Sequence, residues 1–106
     1  MTAESKLEKR IMQCVDDGLE VLGDSGKKAI YYYLEKNSGL KWKEIPKKPE
    51  IFRKGLSFMF GEEGTDIIEK WIVEKLRTSF KLKQQFKITF AEAVAMIKAQ
   101  AKQLCQ

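Results

Sequence analysis

The stretch "GEEGTDIIEKWIVEKLRTSF" (residues 61–80) decides the fold. Within it Ile67, Ile68, Trp71, Ile72, Val73, Leu76 and Phe80 recur at helical spacing. At about 100° per residue they cover well over half of a helix circumference. A helix apolar on so many sides is a central one, contacted from several directions. Its start falls near residues 62–65, where acidic side chains suit the positive end of the helix dipole.

Toward the N-terminus, Pro49 fits the first position of another helix, which presents Phe52, Leu56, Met59 and Phe60 and stops before Gly61. The connector before it, "LKWKEIPKKP" (40–49), sets Ile45 and Lys48 in front of prolines, which pushes both out of helical conformation. Further upstream, "KKAIYYYLEKNSG" (27–39) reads as a helix with Ser25 as its N-cap and Gly39 as its stop. Residues from about 4 to 22 carry Leu7, Ile11, Cys14 or Val15, Gly18 or Leu19, and Leu22 at spacings of three and four, an amphipathic helix ended by Gly23. Gly18 inside that helix costs about 1 kcal/mol against Ala; close approach of a neighbouring helix is the reason to keep it.

Beyond residue 80, "KLKQQFK" (81–87) is a basic link or helix extension. Thr89 and Glu92 then form a T-x-x-E capping box. The last helix shows Phe90, Val94, Ile97, Ala101 and Leu104 at a 4-3-4-3 spacing. So narrow a stripe docks in a groove or pairs with another helix, which makes these five residues the candidates for self-association. No sustained apolar–polar alternation argues for a strand. The expectation is an all-α bundle of about five helices with a central fourth. Residues 1–80 form its core, and 81–106 a link plus a capped helix that packs on the core or on a partner chain.

Length and composition bound the function. A chain of 106 residues with net charge +5 is one mildly basic domain. The N-terminus has charges inside its first apolar repeat, so it reads as neither signal peptide nor anchor. No run approaches the roughly 18 apolar residues of a membrane span. Cys14 and Cys105 lie far apart in sequence and fit reduced thiols in a cytoplasm. Histidine is absent, which excludes Ser-His and Cys-His nucleophile pairs and histidine-ligated metals. No phosphate-cradling glycine motif occurs. The acidic run Glu62, Glu63, Asp66, Glu69 reads as a helix start and not as a catalytic or metal site. No catalytic residue, cofactor, metal or small-molecule substrate is expected, and the chain is read as a non-enzyme.

Two surfaces remain as candidates. Ile30 and Leu34 set the inward direction of the tyrosine-bearing helix. Tyr31 and Tyr33 then flank that line at the core margin with wet hydroxyls, and Tyr32 points away from it beside Lys28 and Lys36. Either the Trp42 connector or the last helix of the same chain covers Tyr32, or Tyr32 is plainly solvated, or Tyr32, Trp42, Lys28 and Lys36 form the candidate protein-partner surface. The second candidate follows the charge. Residues 27–60 carry +6 and 81–106 carry +4, against −3 over 1–26 and −2 over 61–80. Lys41, Lys43, Lys47, Lys48, Arg53 and Lys54, interleaved with Trp42 and nearby tyrosines, could hold phosphates and stack bases. With only three arginines the pattern suits base reading poorly.

The run from Gly26 to Leu76 also resembles the small archaeal output domains of the NitrOD type. Three elements carry the likeness: the tyrosine-rich helix from Ala29 to Lys36, the Gly39-to-Pro49 connector with its I-P-x-x-P spacing, and Phe60 to Ile72. The resemblance spans about half the chain. It implies a compact helical domain, often joined to sensory or receiver modules, that passes a signal to a partner; it brings no catalytic or ligand residues. Against that pattern, the expectation here is a free-standing domain without a sensor module and with a capped helix over 89–105 added. The combined expectation is a cytoplasmic helical adaptor or output domain that binds a protein partner and self-associates. A basic nucleic-acid-binding protein is the alternative.

Overall fold

Glycine and proline punctuation accounts for most of the helix boundaries. The computed structural model describes residues 3–82 and 87–104, with side chains from residue 6 to 82 and from 87 to 101. Among these, α1 runs Ala3–Leu19, α2 Gly23–Ser38, α3 Pro49–Phe80 and α4 Phe90–Leu104, with 3-10 turns at Glu20–Leu22 and Trp42–Glu44 and no strand. The class is all-α. Among the described residues there are four continuous helical stretches where about five helices were expected; the third, Pro49–Phe80, is broken at Gly61, which is where the expected third helix stops and the expected fourth begins. Helix resumes directly after Gly61, whose φ of 75° and ψ of 175° bend α3 within a single residue.

Several boundaries follow the expected chemistry. Gly39 ends α2 in the left-handed conformation, φ 63°, with its N–H on the carbonyl of Glu35. Pro49 opens α3. Before α4, the Thr89 N–H donates to Glu92 Oε1 at 2.9 Å and the Glu92 N–H to Thr89 Oγ1 at 3.1 Å, a reciprocal capping box. Ser25 does not cap α2. The 3-10 turn leads straight into the helix at Gly23, so Ser25 already lies in its first turn.

The bent α3 touches α1, α2 and α4, and the core gathers between them. Ile11, Val15, Leu19, Ile30, Leu34, Leu40, Ile45, Phe52, Leu56, Ile72, Leu76, Phe90 and Ile97 are all fully buried. The closest helix contact is at Gly18. A Cβ placed there would lie 2.9 Å from the Cα of Ile72, so α1 and α3 meet almost backbone to backbone. The limb over 62–80 is less apolar in its contacts than its composition suggests. Ile67 is exposed, and Thr65 and Glu69 are buried in its place.

Phe90, Val94 and Ile97 are buried in the core of the same chain, so three of the five self-association candidates are occupied in cis. Ala101 is half-buried, and the side chain of Leu104 lies outside the described ones, as do Lys83 and Cys105. Among the described residues no helix is long and apolar enough to cross a membrane.

Candidate functional site

The connector between α2 and α3 is pinned by Leu40, Ile45 and Pro46, all buried, and carries its polar residues on an arch between them. The Lys41 N–H donates to Glu44 Oε1 at 3.0 Å, and Lys48 Nζ lies 3.5 Å from Glu44 Oε2. That backbone donor, reinforced by the Lys48 charge, holds the Glu44 carboxyl below the usual carboxylate range, although burial acts the other way. With the arch braced in this way, Trp42 stands at its crest. Its indole meets the ring of Tyr31 edge-on, centroids 6.5 Å apart at 86°. Trp42 remains 48% exposed.

Tyr31 is itself fixed. Its hydroxyl donates to Asp16 Oδ1 at 3.0 Å, and burial first, then that carboxylate, raises its pKa above the ordinary tyrosine value. Asp16 also accepts from Lys27 Nζ at 3.0 Å, and Glu20 is the second carboxylate on Lys27. The hydrogen bonds from Lys27 to Glu20 and Asp16 raise the lysine pKa. An ionic cluster between α1 and α2 thereby orients the tyrosine that orients the tryptophan.

Beside Trp42 opens a cleft of about 510 Å³. Met12 and the indole form its apolar part, and Lys9, Lys41, Lys43 and Lys47 line it together with the carboxylates Glu8 and Glu44. Lys47 lies 4.0 Å from Glu8 Oε1; Lys9, Lys41 and Lys43 have no ion-pair partner among the described residues. Glu8 in turn takes Lys98 of α4 at 3.6 Å, and Lys98 donates to the Pro46 carbonyl at 3.2 Å, which ties α1, the connector and α4 behind the cleft.

The structure sorts the expected residues into separate places. Tyr32 is 65% exposed, as its helical position predicts, and Lys28 and Lys36 are exposed beside it. Lys36 Nζ sits 5.5 Å from the Tyr32 ring centroid and 3.3 Å from its hydroxyl. Trp42, also exposed, has its ring contact with Tyr31. The hydroxyl of Tyr31 is bonded to Asp16 and not left wet.

The basic set also divides. Lys41, Lys43 and Lys47 edge the Trp42 cleft. Lys48 pairs with Glu44. Lys54 lies in a different depression, with Ile51 and Phe58. Arg53 is enclosed by carboxylates: Nη1 is 2.7 Å from Glu69 Oε1, and Nη2 is 3.1 Å from Glu62 and 3.3 Å from Asp66. Glu69 Oε2 also accepts the Phe90 N–H at 3.1 Å. Arg53 and the acidic run, read separately from sequence, are one cluster across the bend. The Cys14 thiol is buried, 3.7 Å from the Lys75 carbonyl, and burial raises its pKa, which keeps it protonated and unreactive.

Sequence reasoning missed both ionic clusters. The first has a visible signature: Asp16 near the end of α1 and Glu20 in the 3-10 turn that follows are spaced i, i+4, and Lys27 and Tyr31 are spaced i, i+4 on α2. No protein-family model, curated protein or solved structure matches the chain.

Proposed function

We propose that this chain is a non-enzymatic interaction module, an adaptor or signalling output domain, that docks an acidic protein segment with an apolar anchor at Trp42. The observation that carries the reading is a half-exposed tryptophan, oriented by Tyr31, that lines one cleft with Met12, where four lysines outnumber the carboxylates Glu8 and Glu44. Tryptophan anchors in concave sites dominate the energetics of protein interfaces. An excess of positive charge around such a cleft steers acidic partners and discriminates against basic ones. The NitrOD-type resemblance supports the same role in signal output.

A nucleic-acid reading draws on three of those four lysines, Lys41, Lys43 and Lys47, with Trp42 as a stacking platform. Arg53 detracts from it, since three carboxylates already neutralise that guanidinium. Fluorescence anisotropy separates the two readings. The probes are a labelled acidic peptide with one central Phe, a random DNA duplex and a single strand, each titrated at low and physiological salt. Micromolar binding of the peptide that is lost in Trp42→Ala is the expected result. Strand binding that collapses with salt and disappears when Lys41, Lys43 and Lys47 become Gln would favour nucleic acid. Binding of no probe refutes both.

A further inference from the structure

Gly61 is the residue inside α3 with non-helical backbone angles, φ 75° and ψ 175°. That region is essentially restricted to glycine. Gly64 is demanded by the same bend: a Cβ there would lie 2.9 Å from the Cβ of Phe60. In a straight helix, residues four apart keep their Cβ atoms about 5–6 Å apart. Both glycines therefore serve the bent form, and a continuous helix needs neither.

The bend separates the chain into residues 1–60 and 62–104, and the core lies between these parts. Gly18 packs on Ile72, the Phe52 and Phe90 rings meet with centroids 5.3 Å apart, Arg53 grips Asp66 and Glu69, and Arg10 donates to the Ser79 carbonyl at 2.9 Å. Every one of these contacts can be made equally well by the matching half of a second chain.

We propose that Gly61 is an exchange hinge and that the partner it admits is a second copy of this chain. With Gly61 helical, α3 becomes one straight 32-residue helix, about 48 Å long. Each half then packs on the complementary half of the other copy. The straight form gains the helical backbone hydrogen bonds that the bend interrupts, and loses only contacts local to it, such as Ser57 Oγ to Glu62 Oε1 at 2.6 Å. Phe58, Phe60 and Ile67, exposed apolar residues flanking the bend, lie where the two straightened helices would cross. Exchange of this kind is a low-cost route to a dimer, because the closed interface is reused.

Light scattering on wild type, Gly61→Ala and Gly64→Ala, from micromolar to millimolar concentration, tests the hinge. Alanine is disfavoured in the bent backbone and favoured in the straight one, so each variant should lower the dimer dissociation constant by about tenfold or more. The dimers should have twice the 12.3 kDa chain mass. In a mixture of labelled and unlabelled chains, isotope-filtered NOEs should join Phe52 of one copy to Phe90 of the other. Variants that remain monomers, dimers without that cross-chain NOE, or loss of folding in both variants overturn the proposal.

Discussion

Replacing Gly18 by alanine tests the closest contact in the core. A methyl group at this position meets Ile72 Cα at 2.9 Å, Ile72 Cγ1 at 2.9 Å and Ile72 N at 3.0 Å. Carbon atoms pack best at about 3.5–4.0 Å. Two of the three opposing atoms are backbone, so a side-chain rotation cannot clear the overlap, and α1 and α3 must separate by roughly 0.6–1 Å. A gap of that size forfeits about a quarter to a half of the dispersion energy along the seam, where Val15, Leu19 and Leu76 are also buried. Overpacking of this kind costs about 1–3 kcal/mol. Alanine returns about 1 kcal/mol in helix propensity. The crowding wins, with a net loss near 1 kcal/mol and a Tm lower by about 4–8 °C. Gly18→Val enlarges the overlap and returns little propensity, so its loss should reach about 3 kcal/mol. Urea unfolding followed by circular dichroism measures both. An alanine variant as stable as wild type, or more stable, would show that the helices do not meet this closely.

Phe52→Ala should cost about 3–5 kcal/mol in the same assay, because it empties a fully buried site against Phe90. Phe58→Ser should stay within about 0.5 kcal/mol of wild type, its ring being 82% exposed. Glu69→Ala should lose about 2–3 kcal/mol, since it strips a charge-assisted bond from Arg53 and the cap from Phe90. The pKa values of Tyr31 and Lys27 are both raised by folding, from ordinary values of 10.0 and 10.5. Their stabilisation is complete below those values and is lost as pH rises through the higher folded ones. Urea midpoints should therefore begin to fall above about pH 10, and less steeply in a Tyr31→Phe, Lys27→Met double variant. An unchanged alkaline slope would refute the coupling.

Much of this architecture was legible because it rests on local chemistry. The Gly39 stop, Pro49 start, Thr89–Glu92 box and outward Tyr32 each depend on residues within a turn or two of one another. The close approach at Gly18 was legible too, since glycine inside an amphipathic helix has few other reasons to be there. What escaped depends on tertiary pairing. Arg53 looked like one more cation in a basic block until the bend carried Glu62, Asp66 and Glu69 around it. Lys27 likewise reads as surface charge unless α1 is known to lie against α2. The interruption at Gly61 was legible on the same local grounds; what escaped is that helix resumes at once after it, so a single residue makes the whole turn between the two limbs. Lys81 ends α3 in a left-handed conformation, φ 54°, that glycine would ordinarily announce.

The two oxygens of Glu69 have a consequence for how the molecule opens. One holds Arg53 and the other holds the first amide of α4. Terminal helices commonly fray on their own and exchange their amide hydrogens quickly. Here the first turn of α4 cannot release its anchored amide without uncovering a carboxylate that also closes the bend in α3. In hydrogen exchange the amide of Phe90 should therefore move with those of the 62–80 limb, as one cooperative unit.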